Sequence, residues 1–325
     1  MLLFIFLPIV SVVMQSVHID HEQVFIEVEN CDFFGCKKAT TVDTEATAEL
    51  RAEKPLGRFV GLDNYFNRNH LASNEIASAW NDSASFSEFY DQVYNLPLYR
   101  AIIFTLVYTF TVTPLLIILG FMIAIGVNSL HAKLKGFVIF FSLLPMIVTP
   151  LVGSLILFWM IDSRGIIGSS LQHLFNDPDL SLKASTSLTW ITLMVYGVWH
   201  SAPFAFVIFY AGLQTLPQDT LESAMIDGAS RWERIRYVVI PHLLPLVTFV
   251  ALIQLMDNFR VFEPIIGFNA SAHATSLSSI IFTDLGGESR LLSSASTTSV
   301  LTILGVIVLL SPVLIRTWRT WDRTA

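Results

Sequence analysis

From residue 99 onward, long apolar runs alternate with short polar stretches. The runs at 101–127, 137–161, 188–213, 243–268 and 291–315 each exceed the roughly 20 residues a helix needs to cross a bilayer core. Such a length predicts five spanning helices. Pro145 and Pro150 are expected to kink the second of these runs, since proline removes a backbone donor and crowds the preceding turn. The first 17 residues are also apolar, with Pro8 inside them. They carry neither the basic lead-in nor the small-residue cleavage site of a secretory signal. They read as the first spanning helix, short for a span, so the chain is expected to begin a few residues upstream. A cleaved signal is the alternative.

Composition sharpens this pattern. The chain of 325 residues is 53% hydrophobic and only 14% charged, with a mean hydropathy of +0.61. A length that suggests two soluble domains is therefore overruled, and the pattern specifies an all-α polytopic membrane protein. The net charge of −7 comes largely from the one sizeable soluble segment, 18–98, whose acids include Asp20, Glu22, Glu27, Glu29, Asp32, Asp43, Glu45 and Glu49. That segment also holds both cysteines. Cys31 and Cys36 are close enough in sequence to close a small disulfide loop, which would place the segment in an oxidising compartment; two free thiols are the alternative.

With six helices, both termini lie on one side. Lys133 and Lys135 in the loop 128–136, Arg231, Arg234 and Arg236 in the loop after the fourth helix, and Arg316, Arg319 and Arg323 in the tail make these the basic segments. Basic loops stay in the cytoplasm. The expected topology of this multi-pass protein puts both termini in the cytoplasm and 18–98 outside.

The most informative polar stretch is 216–245, an island of Glu222, Asp227, Arg231, Glu233, Arg234 and Arg236 between two apolar runs. It reads as two short helices around a bend. Thr220 is the expected N-cap, Ser223 and Ala224 offer a small-residue face, and Gly228 supplies the turn. A second helical piece over 231–239 is expected to stop at Pro241.

This stretch resembles the cytoplasmic coupling loop of ABC importer membrane subunits, with the pattern E-A-A-x-x-D-G-A followed by a hydrophobic position and I-x-L-P. Glu222, Ala224, Asp227, Gly228, Ala229 and Pro241 match it; Ser223, Ile235, Val238 and Ile240 replace residues of similar size. An ordinary amphipathic helix at the membrane surface is the plainer reading. The run 58–65, R-F-V-G-L-D-N-Y, is similar to the F-x-G-L-x-N-Y element that precedes the second span of sugar-type permeases. Across 56–316 the chain resembles the maltose-permease-like half of a carbohydrate ABC importer. The resemblance implies six transmembrane helices of the type I permease fold with an extended outward-facing loop after helix 1. The segments are then helix 1 at 1–17, the external segment 18–98, the permease core 99–316 with its coupling loop 214–242, and the tail 317–325. It also implies a second permease subunit, two cytosolic ATPase subunits, an external solute-binding protein and a sugar substrate. Glu222 would pair with an ATPase arginine, and Gly228 would permit the bend that fits the ATPase. Alternating access would follow from the coupling helices moving together.

No G-x-x-x-x-G-K-[ST] motif, nucleophile pattern or clustered metal-ligand set occurs. The expectation is a non-catalytic subunit that binds no cofactor or metal, with ATP and Mg on its partners, in contact with the lipid bilayer and with no nucleic acid.

Ionisable groups inside a membrane point to function. Gln254, Asp257 and Asn258 fall at i, i+3 and i+4 and are expected to share one face; Arg260 can neutralise Glu263, and Arg260 or a partner-subunit group is expected to satisfy Asp257 at rest. In the fourth span, W-H-S-A-P-F supplies His200, Ser201 and Phe204, at positions where maltose-type permeases contact sugar. The alternative for each polar group is interhelical or intersubunit hydrogen bonding. For the whole chain, the rival readings are an importer of a non-sugar solute and an ATP-independent transporter.

Overall fold

The computed structural model describes residues 2–19, 25–32, 35–53, 57–83, 85–286 and 291–321. The helices in chain order are α1 (Leu2–Ser16), α2 (Thr44–Glu53), α3 (Asp63–Phe66), α4 (Ser73–Asp82), α5 (Phe86–Tyr94), α6 (Pro97–Asn128), α7 (Ala132–Ile147) and α8 (Pro150–Met160). They continue with α9 (Ile166–Phe175), α10 (Thr186–Gln214), α11 (Gln218–Ile226), α12 (Arg231–Arg234), α13 (Ile240–Phe259), α14 (Glu263–Gly267), α15 (Leu277–Gly286) and α16 (Leu292–Trp321). A π-helical segment, Ile235–Val239, joins α12 to α13. Two small antiparallel ribbons pair β1 (His18–Ile19) with β4 (Arg58–Phe59) and β2 (Phe25–Asp32) with β3 (Gly35–Val42). The chain forms two compact units, 1–101 with 277–304 and 102–276 with 305–325.

Among the described residues, four continuous helical stretches are long and apolar enough to span a bilayer: Pro97–Asn128, Thr186–Gln214, Arg231–Phe259 and Leu292–Ile315. The predicted span 137–161 is instead two helices, Ala132–Ile147 and Pro150–Met160, bent by 95°. Its break falls at Val148 and Thr149, with Pro150 opening α8, so Pro150 acts as a helix starter and Pro145 is carried inside α7. The described part of the first helix has only 15 residues.

The predicted fifth span also differs. It begins at Arg231 rather than after Pro241, and it ends at Phe259. Proline at 241 was expected to end the preceding helix. The π-helical turn removes that obstacle: Ile240 N–H bonds to Ile235 O, five residues back. The ladder has already shifted by one residue where the missing donor occurs, and the wider turn makes room for the ring.

In the first unit the F-V-G-L-D-N-Y element fastens the end of α1. The last carbonyls of a helix have no partner within it. Val60 and Gly61 both donate their N–H groups to Val17 O, at 3.0 and 3.1 Å. Asn64 Nδ2 donates to Ser16 O at 3.0 Å and His18 O at 2.9 Å, and the Tyr65 and Ser16 hydroxyls are 2.7 Å apart. Asn64→Ala is expected to destabilise the fold by about 1–3 kcal/mol, because both carbonyls lose the amide donor and Ser16 O falls back on Thr297 Oγ1 at 3.3 Å. A lowered thermal midpoint of the full chain in detergent checks this; an unchanged midpoint contradicts it.

The same element leads to His70, which is 1% exposed. Its Nδ1 lies 2.8 Å from Asn67 Oδ1, and its Nε2 lies 3.2 Å from Thr298 Oγ1 and 3.3 Å from Ser294 O, at the start of α16. Nδ1–H donates to the Asn67 carbonyl, and the neutral Nε2 accepts from the Thr298 hydroxyl. Burial pushes the imidazole pKa below its ordinary 6.5, against smaller opposing effects of the Ser294 carbonyl and the Asp284 charge. The folded state therefore resists protonation more than the unfolded chain does. Its contribution is present above about pH 6.5 and is lost as pH falls below that value. The thermal midpoint should drop between pH 7.5 and pH 5.5, and His70→Gln should shrink that drop; an equal drop in the variant rules His70 out as its cause.

The hairpin β2–β3 places Cys31 directly opposite Cys36. Both kinds of antiparallel pair bring opposing Cα atoms to roughly 4.5–5.5 Å, within the range a disulfide requires. The two cysteine side chains lie outside the described part of the structure, as does Arg323 of the basic tail.

The second unit is built around α6 and α10. Phe104, Tyr108, Val112 and Leu116 recur every fourth residue on α6 and pack with Leu193, Ala205, Phe206 and Phe209 of α10 and Leu243 and Val250 of α13. Lipid supplies no hydrophobic drive between such helices, so close approach through small residues matters. At Gly120 an added Cβ would lie 2.6 Å from Ala205 Cβ and 2.8 Å from Phe206 N. Only glycine lets the two backbones come this near.

Candidate coupling and translocation sites

The coupling stretch folds as two helices around a bend, but with different caps from those expected. α11 starts at Gln218 after Pro217, which makes no side-chain cap; Thr220 lies inside the helix and is not its N-cap. Proline's fixed φ sets the entry instead. The exit of α11 has both bonds of a Schellman closure: Gly228 N–H to Met225 O and Ala229 N–H to Ala224 O, each 3.0 Å. Gly228 sits at φ +79° with nothing within 4 Å of where a Cβ would be, so its requirement is conformational rather than steric. α12 then opens with a reciprocal capping box. Ser230 Oγ accepts from Glu233 N–H at 3.3 Å, and Glu233 Oε2 accepts from Ser230 N–H at 2.7 Å. The Ser-x-x-Glu spacing of that box was visible in the sequence and is the signal that locates this second start.

Ala224 and Ala229 thus contribute backbone atoms to the turn, Asp227 is the C-cap residue of α11, and Glu222 lies on α11 before it. Pro241 belongs to the continuous rod that carries α12 into α13. Met225, Ile226 and Trp232 are 50%, 86% and 69% exposed, an uncovered apolar surface on a charged loop.

The intramembrane polar residues divide between two faces. Gln254 and Asn258 are buried, 5% and 6% exposed, and Asn258 Nδ2 donates to Thr113 Oγ1 of α6 at 2.9 Å. Asp257 is turned away, its side chain 49% exposed and paired with Arg260 at 2.9 Å. The expected common face is therefore split: successive residues are roughly 100° apart around a helix, and the edge of the packed face falls between 257 and 258. Of the two acids open to Arg260, Asp257 takes the pair in place of Glu263. α13 ends at Phe259 with Arg260 as its C-cap residue, so the i, i+3 geometry holds back to Asp257 but not across the turn to Glu263, which opens α14.

His200 and its neighbour one turn back serve the broken span. His200 Nε2 lies 3.0 Å from Val148 O, and Tyr196 donates to Pro150 O at 2.8 Å. A break inside a membrane frees carbonyls at the end of α7 that lipid cannot satisfy, and for Val148 O α10 provides the donor, while Tyr196 ties the first turn of α8 to α10. Tyr196 was not singled out from the sequence, because its role depends on where α7 ends. Ser201 is half-buried, and Phe204 packs against the core of the second unit. Beyond α8, Lys183 pairs with Asp162 at 3.1 Å and lies 3.4 Å from the Phe158 ring centroid; the Lys183 hydrogen bond, with the Arg164 backbone N–H, holds the Asp162 carboxyl below the usual range.

Residues 93–318 match the family of binding-protein-dependent transport system inner membrane components. The chain belongs to that family and is a multi-pass inner membrane permease component. Among its relatives are the probable ABC transporter permease protein y4oQ of Sinorhizobium fredii, 29% identical over 187 residues, which are 57% of this chain and 59% of that protein. The galactooligosaccharides transport system permease protein GanP of Bacillus subtilis is 27% identical over 199 residues, 59% of this chain and 48% of its own length. The multiple sugar-binding transport system permease protein MsmF of Streptococcus mutans is 29% identical over 185 residues, 56% and 62%. The chain thus spans roughly half to three-fifths of these relatives. Among solved structures, a chain of a bacterial ABC transporter involved in the import of alginate superposes with a TM-score of 0.60 at 19% identity, over 85% of this chain and 97% of that one. A chain of the MetNI methionine ABC transporter gives 0.51 at 18%, over 68% and 94%. These two likenesses concern the fold.

Proposed function

We propose that this chain is a permease subunit of an ATP-driven, binding-protein-dependent sugar importer, taking an oligosaccharide, glycoside or polyol. It forms the translocation path with a second permease. The observation that carries the reading is the rigidly capped bend at Gly228 with exposed Met225, Ile226 and Trp232 beside it. Apolar side chains held uncovered on a charged loop call for a protein partner. A cytosolic ATPase pair that drives the loop is the partner consistent with the family. Sugar is favoured because GanP, MsmF and the alginate importer carry sugar or polysaccharide in their names. The methionine transporter shares the fold, so a non-sugar solute is the second reading.

In this proposal the loop at 214–242 and both termini face the cytoplasm, and 18–98 faces outward toward the binding protein. ATP and Mg reside on the ATPase subunits. Solute would pass along the side of α13 that carries Asp257, with Ser201 and Phe204 of α10 as proposed lining residues; Gln254 and Asn258 face the packed interior, and His200 is taken up by Val148 O. The test is reconstitution in proteoliposomes with the ATPase and binding protein encoded nearest to it. ATPase activity should rise severalfold with a sugar-loaded binding protein. A rise with an amino acid and with no sugar in a broad panel overturns the sugar assignment; ATPase subunits that never co-purify with the chain overturn the importer assignment.

A further inference from the structure

We infer that α4 and α5 form an amphipathic hairpin seated in the outer lipid–water interface, with α5 laying an aromatic stripe into the boundary between headgroups and acyl chains. Phe86, Phe89, Tyr90, Val93 and Tyr94 recur at helical spacing along α5, while Ser87, Glu88, Asp91 and Gln92 occupy the other side. None of the residues of α5 is buried. Phe86 is 78% exposed and Tyr90 49%, and Trp80 of α4 is 67% exposed. Trp80 and Phe89 meet edge to face at 5.3 Å between ring centroids, so the two helices present one aromatic surface. A nine-residue helix is too short to hold in water on propensity alone and depends on burying an apolar face. Within its own unit, nothing among the described residues buries this one.

What covers it follows from where the hairpin is pinned. The segment just before it is tied to the ends of three apolar helices, two of them long enough to span: Asn64 to the last carbonyls of α1, His70 to Ser294 and Thr298 in the first turns of α16, and the Leu71 carbonyl to the Tyr99 hydroxyl at 3.0 Å in the first turn of α6. On the other side, α6 begins at Pro97, three residues after α5 ends. Both flanks of the hairpin thus lie at the level where helices enter the bilayer. Tyrosine and tryptophan, with an apolar ring and a polar tip, concentrate at that level. The hairpin carries Glu75, Asp82, Glu88 and Asp91 and no lysine or arginine, so its attachment is apolar and needs no anionic lipid.

The test uses the full chain with Cys31→Ser and Cys36→Ser and a single new cysteine at Phe86, Ser87, Tyr90 or Asp91, labelled with an environment-sensitive fluorophore. The chain is reconstituted in phosphatidylcholine vesicles containing a nitroxide lipid. Labels at 86 and 90 should show blue-shifted emission, severalfold stronger quenching by the nitroxide lipid than labels at 87 and 91, and weaker quenching by aqueous iodide. Equal iodide quenching at all four sites overturns the proposal. Protection at 86 and 90 that appears only when the external binding protein is added also overturns it and makes the stripe a protein-docking surface. Protection without nitroxide quenching overturns it in favour of a second membrane subunit. None of these readings depends on which solute is transported.

Discussion

A Gly228→Pro chain is expected to insert and remain in the membrane while uptake falls to background. Proline fixes φ near −65°, whereas position 228 has φ +79°. The substitution also removes the N–H that bonds to Met225 O at 3.0 Å. Both bonds of the closure after α11 depend on that one left-handed residue, so the exit of α11 changes direction and α12 no longer follows at the same angle. The lesion is confined to a loop outside the apolar stretches, which explains why insertion survives. Gly228→Ala provides the graded companion. With nothing within 4 Å of the new Cβ, it meets only the left-handed backbone penalty of about 1–2 kcal/mol, and uptake should be reduced rather than abolished. ATPase activity measured together with uptake separates the outcomes: hydrolysis that no longer responds to solute is expected in the proline variant. Normal uptake by a stably assembled proline variant would show that the bend does not transmit force.

Much of this architecture was legible in the sequence because it rests on local chemistry. Uncharged runs longer than a bilayer is thick read as helices wherever they fold. The D-G pair at 227–228 reads as a turn because few other residues take positive φ at low cost. What escaped depends on partners remote in sequence. The split of Asp257 from Asn258 is decided by Thr113, 145 positions away. Tyr196 and His200 serve a break at 148–150 that a proline count placed only roughly. Pro241 was read by its general rule, and the rule gave way to a widened turn whose register no propensity encodes. Asn64 was visible only as part of a resemblance; its work, holding the last carbonyls of α1, becomes evident once residues 16 and 64 are adjacent. Within the coupling bend, Thr220 was the expected cap of α11, where Pro217 sets the entry instead. Ser230, with the reciprocal Glu233, caps the second helix.

Asp257→Ala is expected to lower uptake severalfold while assembly with a second permease and the binding-protein-stimulated ATPase activity are kept. A carboxylate at the centre of a membrane helix costs about 2.5–3.5 kcal/mol; Asp257, two residues from the end of the span at Phe259, bears less than that, and Arg260 at 2.9 Å offsets it. Both side chains remain about half exposed, so the pair is open to whatever passes along or packs against that side of α13. Asn258, by contrast, is committed to Thr113 in the packed interior, and Asn258→Leu should lower the thermal midpoint before it alters transport selectivity. The charge-exchanged double variant, Asp257→Arg with Arg260→Asp, decides between a path and a structural role for Asp257. It keeps an ion pair on the same turn, so a residue needed only to neutralise its neighbour is rescued by the exchange. A carboxylate that must meet solute hydroxyls at position 257 is not rescued, because its acceptor oxygens have moved to the C-cap of the helix. Uptake should therefore stay low in the double variant although the complex assembles. Full recovery of uptake on exchange, or loss of the second permease from the complex in Asp257→Ala alone, would make the pair structural and remove Asp257 from the path.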